Sequence, residues 1–525
     1  MIHRSPFPDV AIPEITLPAF VLKNVDQWAD KAALIDGPSG RTLTYGQLRG
    51  AIRQVAGALA ARGFGKGDVF SIYSPNLPEY AVIFYAVTIV GGVVTTTNPL
   101  YTADELAHQL KDSGAKFLIT IPAFLDKARQ AAQAAGVEEV FVFGEAEGAT
   151  AFSDLVQQGG EIPEVQIDPR EDLAVLPYSS GTTGLPKGVM LTHYNIVANI
   201  VQMLAVEEID KDEVLIGILP FYHIYGMVVV MSMALSTGAT IVTMPRFDLE
   251  QFLQLLQDHR ITTAFVVPPI ILALAKHPIV DNYDLSALLQ VGSGAAPLPE
   301  SVAQGCARRL DCVVRQGYGL TETSPVTHFT PRSMEVKITA VGVTLPNTEV
   351  RIVDVGSGQD CSLREPGEVW IRGPQVMKGY HNRPDATAAM IDPEGWLHTG
   401  DVGYVDEDRY FYIVDRVKEL IKYKGLQVAP AELEAVVQAH PAVADAAVIP
   451  SPDDEAGEVP KAFVVLKPGA AATGEDIMAF VADRVAPYKK VRRVEFIDMI
   501  PKVPSGKILR RELVRREREA IAQAG

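Results

Sequence analysis

The sequence predicts an α/β protein: a large amino-terminal domain of parallel α/β sheets with a small β unit, then a small α+β carboxyl-terminal domain. From Val69 onward, short β-rich runs alternate with helical stretches, the pattern of parallel strands covered by helices. After about Val343 the pattern changes to short strands separated by Gly and Pro, which reads as an antiparallel unit. Over 525 residues there is no repeat period and no low-complexity segment, so solenoids are excluded and more than one domain is expected.

Taken in order, Val69–Tyr73 reads as a strand, 79–90 as a helix, 93–97 as a strand, 103–112 as a helix and 117–120 as a strand. The apolar stretch from Tyr80 to Val94 is too short to cross a bilayer, which takes about 20 residues, so it is expected as a buried helix entering a strand. The alternation resumes after Asp172 with a strand to Leu176, a helix over 195–204, a strand over 214–219, a helix over 248–259 and a strand over 262–267. Strands over 349–353, 368–371 and 410–414 form the β unit. Beyond Asp415, helices over 431–438, 476–484 and 509–516 interleave with strands over 444–449, 462–466 and 491–497. The boundary is placed near Asp415–Lys418, giving domains 1–415 and 416–525.

Lys and Arg total 47 against 64 Asp and Glu, and the resulting charge of −17 repels nucleic-acid phosphates, so no polynucleotide partner is expected. The basic run Lys507, Arg510, Arg511, Arg515, Arg516 and Arg518 is read as a solvated helix. Cys306, Cys312 and Cys361 are too few and too irregular for a disulfide framework or a zinc site. With no signal-peptide core at the amino end and no Ser-Lys-Leu at the carboxyl end, a cytoplasmic location is expected.

The stretch from Tyr178 to Gly188 follows an apolar strand and carries Ser179, Ser180, Gly181, Thr182, Thr183, Gly184 and Lys187. Small residues let backbone approach phosphates, hydroxyls donate to their oxygens, and the lysine adds a cation. It is not a Walker A loop, because four residues after Gly181 stands Pro186. Dinucleotide, zinc-protease and serine-esterase motifs are also missing, which removes hydride transfer, zinc hydrolysis and esterase chemistry from consideration.

Seven long motifs, in order, resemble the acyl-adenylate-forming superfamily, most closely its 4-coumarate–CoA ligase-like branch. They are LPYSSGTTGLPKGVMLTH from Leu176, LPFYHIYGM from Leu219, QGYGLTETSPV from Gln316, GEVWIRGPQVMKGY from Gly367, GWLHTGDVGYVD from Gly395, VDRVKELIKYKGLQVAPAELE from Val414 and PSGKILRREL from Pro504. The resemblance implies an enzyme that uses ATP, magnesium and coenzyme A on a small carboxylic acid, with the carboxyl-terminal domain acting as a mobile lid.

By that resemblance Thr182, Thr183 and Lys187 hold the departing phosphates, and Ser179, Ser180, Gly181 and Gly184 bind the nucleotide beside them. Thr321 touches the α-phosphate, and Glu322 is the magnesium carboxylate. Gly294, Ala295, Ala296, Pro297, Gln316, Gly317, Tyr318 and Gly319 receive the nucleoside, with the Tyr318 ring as a face for adenine, while Asp401 and Arg416 contact ribose. Lys507 serves the first half-reaction by bridging acid and α-phosphate. Rotation about Lys418 would bring Lys422, Lys424, Gly425 and Gln427 to the adenylate for the second, Lys424 and Gly425 lying toward coenzyme A. His223 lines the thiol path, and the acid pocket is formed by His223, Tyr225, Gly292, Gly294, Gly317, Gly319, Pro325 and Val326, the glycines leaving a slot for a ring or an alkyl chain.

The motif GEVWIRG departs from plant coumarate ligases, which tend to carry cysteine where this chain has Trp370. A hydroxycinnamate-like acid is expected first and a medium or long fatty acid second. A luciferase-like oxygenase shares the motifs. A carrier-loading adenylation domain and an acyl-AMP ligase unable to use coenzyme A are weaker alternatives, since the chain shows neither a carrier segment nor an insertion beside the hinge.

Overall fold

The computed structural model describes all residues except 180–185, 418, 424–425, 454–455, 504–505 and 525; the side chains of 426–427 and 522–524 also lie outside the described set. Ser180, Gly181, Thr182, Thr183, Gly184, Lys418, Lys424 and Gly425, and the side chain of Gln427, are therefore expectations that fall outside the described residues.

Two large sheets form the core of the amino-terminal part. In the first, Val93–Thr96, Val69–Tyr73, Ala115–Thr120 and Glu139–Val142 run parallel, and Leu173–Val175 joins beside Val93–Thr96. Lys187–Thr192 then folds back antiparallel to Leu173–Val175, and the described ends of the hydroxyl-rich stretch, Tyr178–Ser179 and Lys187–Gly188, pair with each other. The second sheet has parallel strands Ala32–Asp36, Thr240–Thr243, Val214–Gly217, Thr263–Val266, Gln290–Ser293 and Val313–Gly319, with antiparallel Val326–Phe329 beside the last. The helix Pro78–Ile89 is buried from Tyr80 through Thr88, as its uninterrupted apolar sequence requires. Each large apolar side chain in it contributes about 1.5–3 kcal/mol by leaving water.

The expected antiparallel unit is present: His3–Arg4, Glu349–Val353, Gly367–Arg372, Leu397–Val405 and Phe411–Arg416 form one sheet in that order. The carboxyl-terminal part packs the helices Pro430–Gln438 and Gly474–Ala482 on a sheet of Ile421–Tyr423, Leu426–Val428, Val443–Asp453, Gly457–Leu466 and Arg493–Phe496. Its last helix, Arg510–Ala524, packs Leu513 against Ile449 and Phe463.

Several elements were not anticipated, among them the helices Tyr45–Ala61 and Glu300–Leu310. The segment Tyr225–Ser232 is a π-helix, a wide turn found mostly at functional positions. The first strand, His3–Arg4, is only two residues long and pairs with Glu349 and Val350. Among the described residues no helix is long and apolar enough to cross a membrane.

Candidate active site

The parallel strands of the second sheet end together at Gly217, Val266, Ser293 and Gly319, and segments leaving those ends carry His223, Tyr225, Gly294, Ala295, Ala296, Pro297, Thr321 and Glu322. Ligands in open α/β sheets bind at this edge because loops diverge there. Gly319 has a steric reason to be glycine: a Cβ would lie 2.0 Å from the Pro325 carbonyl oxygen. Ala295, in the Gly294–Pro297 segment, holds φ at +70°, a left-handed conformation that alanine adopts only when its surroundings impose it.

Tyr318, Asp401 and Arg416 form one linked group. The Tyr318 hydroxyl donates to Asp401 Oδ2 at 2.6 Å, and Arg416 Nε stands 3.1 Å from Asp401 Oδ1. Asp401 and Arg416 are register partners on adjacent strands, which fixes the ion pair through the backbone. Burial pushes the Asp401 carboxyl above the usual range, with Arg416 and the Tyr318 hydroxyl pulling against it. The Tyr318 ring lies tilted against the His328 ring, centroids 5.8 Å apart.

Gln316 is held at this edge by its side chain. Its Oε1 accepts from the Leu298 backbone at 3.3 Å and its Nε2 donates to the Ile338 carbonyl at 2.5 Å, so its side chain ties two loops together. Ala295 and Pro297 are exposed at this edge, Ala296 is half-buried, and Gly317 is half-buried on the same strand as Tyr318.

Glu322 lies inside the short turn Thr321–Thr323, is 7% exposed, and accepts on Oε1 from the Ser179 hydroxyl (3.0 Å) and the Tyr380 hydroxyl (2.8 Å). Thr321, which opens the turn, is half-buried. Lys187, the last residue of the hydroxyl-rich stretch, places its ammonium 4.9 Å from the centre of the Tyr380 ring. Among the described residues no group of three His, Cys, Asp or Glu gathers as a metal cage. A single carboxylate beside a phosphate loop suits magnesium, which takes most of its ligands from phosphate oxygens and water.

Lys507 reaches this edge from the carboxyl-terminal part. Adjacent Gly506 is so close to Pro269, on the helix Pro268–Lys276, that a Cβ there would lie 2.8 Å from Pro269 Cδ. Burial and the Arg416 guanidinium lower the Lys507 ammonium below the ordinary lysine value, while Glu419 and Asp401 oppose that shift. Burial, with Lys507 adding to it, lowers His223 to about 4, so its imidazole is neutral at physiological pH. His223 Nδ1 accepts from the Tyr225 backbone at 3.3 Å, which leaves the proton on Nε2. Lys422 is exposed on its hairpin and is not brought to the site in this arrangement.

Gly292, Gly294 and Gly317, three of the glycines expected to wall the acid pocket, each pack against an aromatic ring. A Cβ on Gly292 would meet Phe265 at 2.5 Å, one on Gly294 would meet Tyr225 at 2.9 Å, and one on Gly317 would meet Phe329 at 2.8 Å. The missing side chains let these rings pack against the backbone. Tyr225 and Phe265 stand edge to face, 6.4 Å between centroids, and the Tyr225 hydroxyl is 3.5 Å from the Gly292 carbonyl oxygen. Val326 is buried and its backbone is paired to Asn199 in both directions, at 2.6 and 3.0 Å; Pro325 precedes it.

Phe265 and Tyr380 were not singled out in the sequence. Phe265 sits in a buried strand and reads like any core aromatic, while Tyr380 ends a recognised motif without a residue type that announces its partner.

Comparison with known proteins identifies the family of the chain. Residues 21–381 match the AMP-binding enzyme family and residues 432–507 the AMP-binding enzyme C-terminal domain. A 4-coumarate–CoA ligase 5 from Oryza sativa subsp. japonica is 45% identical over 523 residues, spanning 98% of this chain and 96% of that enzyme. The crystal structure of the anthranilate CoA ligase AuaEII in complex with anthranoyl-AMP superposes with a TM-score of 0.90 at 25% identity, covering 98% of this chain and 99% of that one. That of ATP-bound MatB from Rhodopseudomonas palustris gives 0.88 at 28% identity, covering 96% and 99%. With both of its parts matched and full-length relatives this similar, the chain belongs to the AMP-binding enzyme family.

Proposed function

We propose that this protein is an ATP-dependent acid–CoA ligase that makes an acyl-adenylate from a carboxylic acid and then a coenzyme A thioester, releasing AMP. The observation that carries this reading is Lys507 standing among His223, Asp401 and Arg416. An ammonium at that point neutralises the repulsion between an incoming carboxylate and the α-phosphate.

In the first step a carboxylate oxygen attacks the α-phosphorus and pyrophosphate leaves. Lys507 holds the two anions together, and Thr321 donates to the α-phosphate. Lys187 and the hydroxyl-rich stretch of residues 179–184 receive the leaving pyrophosphate. Asp401 and Arg416 hold the ribose, and Tyr318 offers its ring to adenine. Magnesium bound at Glu322 would supply charge neutralisation on the phosphates. In the second step the thiol attacks the acyl carbon and AMP departs with one oxygen of the original carboxylate. Neutral His223 lines the thiol path, and rotation of the lid, residues 416–525 about Lys418, brings Lys422, Lys424, Gly425 and Gln427 toward the adenylate in place of Lys507.

A hydroxycinnamate-like acid is the favoured substrate, because Tyr225 and Phe265 wall the pocket with rings that accept a planar aryl group. The relatives named 4-coumarate–CoA ligase support the same class. Three free, buried thiols support a reducing, cytoplasmic setting. Incubation with ATP, magnesium, coenzyme A and a panel of acids, read by mass spectrometry of the thioesters, tests the proposal. Coumaroyl- or cinnamoyl-CoA is expected; octanoyl-CoA in the absence of both would overturn the substrate class.

A further inference from the structure

We infer that Tyr380 is a positioning residue for adenylation: its hydroxyl holds the Glu322 carboxylate with one oxygen turned free toward a divalent cation, and its ring seats the Lys187 ammonium. The inference rests on the reading of Glu322 as the magnesium carboxylate and deepens it.

The first ground is the geometry at Glu322. Ser179 and Tyr380 both donate to Oε1, and among the described residues Oε2 accepts no hydrogen bond. Two donors on one oxygen fix the plane of the carboxylate and leave the other oxygen as the ligand face. A partner that orients a metal-binding carboxylate in this way contributes to metal affinity without touching the metal.

The second ground is how Tyr380 is held. Gly379–Tyr380 pairs antiparallel with Val189 and Met190, directly after Lys187 on the same strand. The Met377 backbone donates to the Glu322 carbonyl at 2.9 Å, Lys378 to the Met190 carbonyl at 2.9 Å, and His381 to the Gly188 carbonyl at 2.8 Å. Residues 377–381 thus lace the lysine strand to the carboxylate turn. Tyr380, 6% exposed, is where the two functional side chains meet. Its ring lies under the Lys187 ammonium while its hydroxyl reaches Glu322. A lysine otherwise free to sample many rotamers is thereby held on the phosphate side.

The test uses Mn2+ as the cation and a non-hydrolysable ATP analogue, with bound Mn2+ measured by electron paramagnetic resonance. Tyr380→Phe keeps the ring and removes the hydroxyl. Mn2+ affinity in the ternary complex is expected to fall roughly ten- to hundredfold, with analogue binding in EDTA unchanged. Equal Mn2+ affinity in Tyr380→Phe and wild type overturns the inference. Glu322→Gln separates the two levels of the argument. If it loosens Mn2+ while Tyr380→Phe does not, the cation reading stands and the role of Tyr380 falls. If it leaves Mn2+ untouched, the cation reading falls and takes this one with it. Should Tyr380→Phe not fold, 3-fluorotyrosine at position 380 keeps the shape and alters only the acidity of the hydroxyl. A shifted Mn2+ affinity is then expected, and an unchanged one counts against the inference.

Discussion

Lys507 carries its charge in a place that disfavours it, between burial and the Arg416 guanidinium. Because the ammonium form is the useful one, adenylation should fall as pH rises through a value below that of an ordinary lysine. Lys507→Arg should move that alkaline limb upward, since a guanidinium stays charged; pyrophosphate release against pH is the measurement. Lys507→Ala should lower adenylation roughly 10²–10³-fold, the cost of removing one donor from developing charge, while sparing thioester formation from supplied acyl-adenylate. His223, already neutral above about 4, should add no acidic limb in the neutral range. In the acid pocket, Phe265→Ala opens the space beside Gly292. It should shift the kcat/KM ratio of ring-substituted over unsubstituted cinnamates by roughly tenfold. The motif residues were named through the family resemblance, since a lysine such as Lys507 in a basic tail does not announce a role by its type alone. Phe265 and Tyr380 were not, because their roles arise from contacts: Tyr380 lies 58 positions from Glu322 and Phe265 lies beside a glycine on the neighbouring strand.

At the scale of elements, Arg511, Arg515, Arg516 and Arg518 of the carboxyl-terminal basic run are exposed on the last helix, as its composition implied, while Arg510 is not. Arg510, at the start of the helix Arg510–Ala524, reaches Glu419 at 2.5 Å and both oxygens of Glu434 at 2.7 and 2.8 Å. Arg516 meets Glu495 at 2.6 Å. Glu434, 7% exposed on the helix Pro430–Gln438, has no water to fall back on. Arg510→Met should therefore destabilise the chain by about 3–5 kcal/mol, the cost of leaving one member of a buried pair unpartnered. Glu434→Gln in the same chain should recover part of it, and chemical denaturation of the full chain measures both. The helices and strands that were read from the sequence mostly match to within a few residues, since period and burial agree in them, while others, such as the helix Tyr45–Ala61, were not read. The π-helix Tyr225–Ser232 escaped because its apolar, valine-rich sequence fits a strand or a buried helix equally. The strand His3–Arg4 escaped because two residues carry no period at all.

At the scale of the whole molecule, the arrangement has Lys507 at the site and Lys422 exposed, the distribution a first-step orientation requires. Lys422→Ala should therefore weaken thioester formation more than pyrophosphate release, in single-turnover assays of each step. Equal loss in both steps would remove the basis for a rotating lid. The order of the motifs announced the two-part architecture, but the sequence could not say which of two orientations the chain would adopt. That depends on close packing such as Gly506 against Pro269. The central claim is that the acid attacks the α-phosphate, and oxygen labelling tests it most directly. With 18O in the carboxylate of the acid, turnover should deliver one labelled oxygen into AMP alongside the coenzyme A thioester. Unlabelled AMP, or ADP as the nucleotide product, would contradict the account.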